Sequence, residues 1–207
     1  MKVYGDLKSG NCYKVKLLLD LLKKPHEWVH VDVVAGDTQT PSFLAKNPVG
    51  KIPLLEIEED CWLSESNAIL FYLAEGTEFM PTDPLGKAQV LQWQFFEQYS
   101  HEPYIAVARY IVEYLGNPPE QHGRLESTRA PGYRALAVME QHLRKFKYMV
   151  GMEYSVADIS LYAYTHVAAE GGFALDEFPA IRDWIARLEM EPGHEPMATY
   201  LANEPDR

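Results

Sequence analysis

The hydrophobic period of this chain changes once, across residues 76–86, and that change limits it to two dissimilar halves. Before it, short strand readings alternate with helical ones. Residues 2–4 read as a strand ended by Gly5, and Gly10-Asn11 reads as a turn. From Cys12, the apolar residues Val15, Leu18, Leu19 and Leu22 recur at helical spacing as far as Lys23-Lys24-Pro25. Residues 28–34 give a second strand, and Thr40-Pro41 supplies an N-cap followed by proline for a short helix over 41–46. Residues 52–57 and 61–63 form a hairpin around Glu58-Glu59-Asp60, and a further helix covers 65–75. The order βαβ, α, ββα predicts a small mixed sheet with helices on its faces.

Residues 76–86 carry Pro81, Asp83 and Pro84 with little periodicity and read as a linker. Everything beyond is helical in character. Leu91, Phe95 and Tyr99 share one stripe, and Pro103 bends or interrupts that helix before a continuation over 105–115. Gly116-Asn117-Pro118-Pro119 stops it. Leu136, Met139, Leu143, Phe146 and Val150 mark the inner face of a long helix that Gly151 ends. Ser155 and Asp158 then form a capping box, which assigns the buried acid to backbone donors and to stability. Ile181, Trp184, Ile185 and Leu188 fit an amphipathic template until Glu191-Pro192-Gly193 breaks it. The fold class is therefore α/β plus all-α. A small domain covers 1–78, a linker 79–87 and an all-helical domain 88–207.

Composition removes several classes of function. The net charge of −11 argues against a nucleic-acid footprint and against anionic membrane surfaces. No run of 18 apolar residues is present, which excludes a spanning helix. Two cysteines, Cys12 and Cys61, are too few for a disulfide framework. The opening Met-Lys-Val-Tyr reads as a strand rather than a signal region, so the expected compartment is the cytoplasm. No metal site is expected.

The chemistry concentrates in Asn47-Pro48-Val49-Gly50-Lys51-Ile52-Pro53 and the nearby Ser64-Glu65-Ser66. Proline lacks an N–H and is the residue whose preceding peptide bond adopts cis at low cost. A cis Pro53 would turn the backbone N–H and C=O of Ile52 outward, ready to pair with an extended peptide. Glu65 and Ser66 add a carboxylate, a hydroxyl and helix N-terminal amides. Together they suit a small peptide bearing an amino group and a carboxylate at one end.

Taken with the domain order, the segments NPVGKIPLL, SESNAI and YSVADI resemble the cytosolic glutathione transferase family along nearly the whole chain. The opening SGNCYKVKLLL is similar to the bacterial serine-type and asparagine-bearing branches, the theta- and nu-like classes. The resemblance implies a thioredoxin-like first domain and a two-fold homodimer. It also implies glutathione as co-substrate, with no cofactor, and conjugation to small electrophilic hydrophobic compounds in detoxification. Glutathione-dependent disulfide or peroxide reduction is the alternative activity, and a non-catalytic interaction module the alternative class.

The resemblance also distributes roles. Ser9 falls where the family's thiol-activating residue stands, with Asn11 as a second donor to the sulfur. A hydroxyl donating to sulfur, at the positive end of a helix, favours the thiolate. Ser9 could instead merely cap the helix, and Cys12 is best read as a small buried residue. Tyr4 lies inside the strand and is read as core. Ile52 and Pro53 would pair with the cysteinyl residue, Glu65 and Ser66 would hold the γ-glutamyl end, and Lys51 with Gln39 or Thr40 would lie near the glycyl carboxylate. The acceptor-substrate pocket is expected around Tyr104, Arg109 and Tyr110, with Tyr99 and His101 close by.

Overall fold

The computed structural model describes residues 1–203, which divide into two compact units. The first comprises Met1–Glu75 together with the segment that starts at Pro192, and the second is Gly76–Glu191. The helical unit thus ends where Glu191-Pro192-Gly193 breaks the helical template, and the segment after it belongs with the first unit.

In the first unit, strands β1 (Lys2–Gly5), β2 (Glu27–His30), β3 (Leu54–Glu58) and β4 (Cys61–Ser64) form one sheet in the order β2-β1-β3-β4. β1 runs parallel to β2 and antiparallel to β3, with Val3 opposite Leu55 and Tyr4 opposite Leu54. Alternation sends these pairs to opposite faces. On one face Leu54 packs with Val31 and Phe43, backed by Tyr4, Ile52 and Trp62. On the other lies α1 (Gly10–Leu21), approaching so closely that a Cβ on Gly5 would meet Cys12 Sγ at 2.9 Å. α1 packs in turn against α3 (Ser66–Ala74), and Leu17, Leu18, Ile69 and Leu70 are fully buried. This is the thioredoxin-like arrangement the element order implied.

Three readings shift. Gly10-Asn11 is the first turn of α1 rather than a separate loop. β2 stops at His30, because the Asp32 carboxylate takes the amides of Val34 and Ala35 and turns the chain there. Tyr4 is only half-buried, since its hydroxyl donates to Glu56 and accepts from Lys46. α2 (Pro41–Leu44) starts as expected, with Thr40 accepting from the Phe43 amide at 3.3 Å.

The segment from Pro192 meets α1. Tyr13, wholly buried, donates its hydroxyl to the carbonyl of Glu195 at 2.7 Å, and its ring meets Tyr200 edge-on. Lys16 lies 5.0 Å from the centre of the Tyr200 ring. Tyr200 belongs to a short helix, α9 (Met197–Ala202).

The second unit is helical: α4 (Pro84–Phe96), α5 (Glu102–Arg109), α6 (His122–Leu143), α7 (Val156–Thr165) and α8 (Pro179–Glu189). α4 begins inside the expected linker because Asp83 caps it, accepting from the Gly86 amide at 2.9 Å. α4 continues into α5 through a π turn at Glu97–His101, immediately before Pro103. Proline cannot donate, and the wider turn absorbs the missing bond without a break. Leu91, Phe95 and Tyr99 are exposed, so their stripe is not a core face of this unit. α6 ends at Leu143, with Phe146 45% exposed, so the long inner face stops about two turns before Val150, the last position its spacing suggests. Gly151 lies in a later turn with φ +71°. Within α6, Gly132 lets the Phe173 ring approach to where a side chain would stand.

The capping box forms at the head of α7. Asp158, wholly buried, accepts from the Ser155 amide and hydroxyl at 3.0 Å, from the Met149 amide at 2.8 Å and from Trp184 Nε1 at 2.9 Å. Burial pushes its carboxyl up to about 6, against the downward pull of those four bonds. No helix among the described residues is long and apolar enough to cross a membrane.

Candidate functional site

Two helix starts in the first unit carry the expected residues. Ser9 precedes α1, and its carbonyl accepts from the amides of Cys12 and Tyr13. Its hydroxyl makes no capping bond to the helix backbone. The side chain is half-buried and lies beside the Cys12 thiol instead. The capping alternative for Ser9 is therefore met only by its backbone.

Cys12 is no competitor as a nucleophile. It is wholly buried, and burial pushes its thiol up to about 12, against hydrogen bonds from the Asp6 backbone and the Ser9 side chain. A thiol in that state stays protonated at neutral pH and reacts poorly.

At the second helix start, β4 ends at Ser64 and α3 begins at Ser66. The joint is Glu65, exposed, with φ +67° and ψ 112°. A side chain there costs about 1–3 kcal/mol, a strain typical of ligand-holding positions. Ser66 is buried, and its hydroxyl donates to Asn11 Oδ1 at 3.1 Å. That bond joins the two helix starts.

One member of this cluster escaped sequence reading. Lys14, with no exposed surface, donates Nζ to Asn11 Oδ1 at 2.8 Å and approaches Ser66 Oγ at 3.4 Å. Its only signal was a cation three residues after Asn11, among the apolar positions of α1.

The loop before β3 is held by Asn47, to which the sequence reading gave no role of its own. Asn47, buried, donates Nδ2 to the Lys51 carbonyl at 2.8 Å and accepts from the Val49 amide at 3.2 Å. Gly50 has φ +65°, and a Cβ there would meet Gln39 Nε2 at 2.7 Å. Gln39 itself donates to the Gly50 carbonyl at 3.2 Å. The Ile52–Pro53 peptide is cis. Sheet pairing of β3 starts at Leu54, so Ile52 lies outside the ladder. Lys51 and Gln39 are exposed.

The residues expected around the acceptor pocket separate. Tyr104 lines a shallow cavity of about 250 Å³ with Phe96, Tyr99, Pro131, Arg134 and Val138. Arg109 does not. It is buried, and its Nε donates to Glu170 Oε2 at 2.6 Å, because a buried guanidinium requires a partner. Tyr110 stacks on Tyr114, with ring centres 5.2 Å apart. His101 is buried against Thr165 Oγ1 at 2.9 Å. The cation at that cavity is Arg134, which is exposed and which sequence spacing did not single out.

Comparison with known proteins fits this geometry. Residues 1–75 match the glutathione S-transferase N-terminal domain and residues 105–192 the glutathione S-transferase C-terminal domain. The chain belongs to the glutathione S-transferase family. A glutathione S-transferase from Pseudomonas fluorescens, solved by crystallography, is 59% identical with a TM-score of 0.93, over 95% of this chain and 98% of that one. A glutathione S-transferase of Arabidopsis thaliana is 32% identical over 93% of this chain and 92% of its own length. The disulfide-bond oxidoreductase YfcG of Escherichia coli is 26% identical over 89% of this chain and 88% of its own. The glutathione S-transferase N-terminal domain here holds every residue expected to bind glutathione. No group of His, Cys, Asp and Glu side chains among the described residues could hold a metal ion.

Proposed function

We propose that this protein is an enzyme that binds glutathione, ionises its thiol with Ser9 and Asn11, and conjugates it to small electrophilic hydrophobic compounds. The observation that carries this reading is the meeting of two helix starts, where Ser66 donates to Asn11 across 55 positions of sequence. In the proposed complex, Glu65 takes the γ-glutamyl ammonium and Ser66 with the first amides of α3 takes its carboxylate. Ile52 pairs with the cysteinyl backbone, next to Pro53, and Lys51 and Gln39 face the glycyl carboxylate.

That alignment brings the sulfur to the start of α1. Hydrogen bonds from the Ser9 hydroxyl and the Asn11 amide, with the helix dipole, favour the thiolate. Lowering the thiol by two units is worth about 2.7 kcal/mol and makes the thiolate dominant near neutrality. The thiolate then attacks an electrophilic carbon and the leaving group departs with the bonding pair. Tyr104 and Arg134 are the side chains proposed to face the acceptor.

We read the reaction as a detoxification step in the cytoplasm, performed without a cofactor. The exposed stripe of Leu91, Phe95 and Tyr99 on α4 and its continuation supports a homodimer.

A second reading, glutathione-dependent disulfide reduction, is favoured by Asn11 and by the likeness to a disulfide-bond oxidoreductase. In it the bound thiolate attacks a disulfide, releasing one thiolate and leaving a mixed disulfide that a second glutathione resolves. Cys12 is too deeply buried to take part. Binding to immobilised glutathione, followed by parallel assays with a chlorinated nitroaromatic and a small disulfide, tests both. Conjugation should be the faster reaction. Failure to bind would overturn both readings, and disulfide reduction without conjugation would select the second.

A further inference from the structure

We propose that Lys14 is a positioning residue that aims the Asn11 amide at the thiol of bound glutathione; this rests on the glutathione reading above. Lys14, Asn11 and Ser66 form a triangle with edges of 2.8, 3.1 and 3.4 Å. An ammonium has three protons to donate and nothing with which to accept. The Asn11 atom facing Lys14 is therefore its oxygen, and the amide cannot flip without meeting the ammonium with its own protons. With Oδ1 held by Lys14 and Ser66, the donating Nδ2 side is turned away from both.

Ser66 alone could not maintain this once the ligand binds. A hydroxyl has a single proton. In the structure that proton goes to Asn11 Oδ1. If Ser66 takes the γ-glutamyl carboxylate, its proton goes there instead, and Asn11 Oδ1 loses that bond. Lys14 has protons enough to keep Oδ1 while also donating to Ser66 Oγ. The cluster thus couples occupation of the γ-glutamyl end to a fixed thiol donor at the other.

The placement of Lys14 argues against a packing role. It is wholly buried on α1, where a methionine of similar length would fill the space without the cost of burying an ammonium.

The test uses S-methylglutathione, which has no ionisable thiol, beside glutathione itself. Binding of S-methylglutathione to the unaltered protein is measured first by calorimetry. If it does not bind, the glutathione reading falls and this proposal with it. For Lys14→Met, S-methylglutathione affinity should stay within about threefold, the scale of a lost peripheral contact. The pH midpoint of glutathione ionisation, followed by thiolate absorbance, should rise by about one unit. In an Asn11→Ala background the same substitution should move that midpoint no further, because Lys14 acts through Asn11. An unchanged midpoint in folded Lys14→Met, or an equal shift in both backgrounds, overturns the proposal. Should Lys14→Met fail to fold, Asn11→Asp decides. That variant keeps an oxygen for Lys14 but removes the donor, so it should raise the midpoint. A midpoint equal to the unaltered protein's would leave Lys14 with nothing to aim and overturn the proposal.

Discussion

Each unit buries a polar network at the start of a helix, and the two networks differ in whether they close on themselves. At the head of α7, Asp158 receives two hydrogen bonds on each carboxylate oxygen, all from its own chain. A carboxylate offers about four lone-pair sites, so the group is saturated. At the heads of α1 and α3, Asn11 Oδ1 receives two bonds, while Ser9 is half-buried and Glu65 is exposed. One network is sealed and holds loops together. The other has an open edge suited to a ligand. A buried ionisable group is therefore no guide to chemistry until its partners are counted.

The contrast can be broken most directly at its sealed end. Asp158→Ala leaves two amides, a hydroxyl and an indole N–H without their acceptor, at about 1–3 kcal/mol each where burial persists. A loss of at least about 4 kcal/mol in denaturant unfolding is expected. If that variant unfolds like the parent, the network is not structural.

The same carboxyl gives a pH signature. Its folded value of about 6 lies above its ordinary 3.8. The native state then holds the extra proton, so the contribution is fully present below the ordinary value and is lost as pH rises through about 6. The difference in stability between the parent and Asp158→Asn should fall across that interval by up to about 3 kcal/mol. An opposite slope would mean that the four donors outweigh burial.

At the open edge, effects should fall on activity instead. Ser9→Ala is expected to lower kcat/KM for conjugation about a hundredfold, or about 2.7 kcal/mol, while the melting temperature barely moves. Full activity in that variant would shift the role to Asn11. A small effect on folding is expected for Ser66→Ala, about 1 kcal/mol in stability, accompanied by a clear loss of glutathione affinity. A stability loss as large as that of Asp158→Ala would erase the distinction between sealed and open networks.

Local signals were legible and distant ones were not. The capping box, the Thr40 cap and the strand-helix order all depend on residues within a few positions of each other. Those formed as read. The head of α1 was harder, since Ser9 and Asn11 lie two positions apart while Ser66, the partner of Asn11, is brought there by packing of α1 on α3. Lys14 drew no reading of its own, because only tertiary structure buries it. Arg109 failed in the reverse sense: an attractive cation was claimed by Glu170, 61 positions on. The inner face of α6 was overextended because Phe146 kept the spacing after the helix had ended.

The bond from Tyr13 to the Glu195 carbonyl spans 182 positions. During synthesis, chains grow at about 5–20 residues per second and early domains tend to fold first. Here α1 and its sheet leave the ribosome well before the strand of chain that covers Tyr13. The unit made first is completed late, after the helical unit has been translated. Until then Tyr13 lacks both its acceptor and the Tyr200 ring, and the nascent protein carries a gap on the helix that begins beside Ser9.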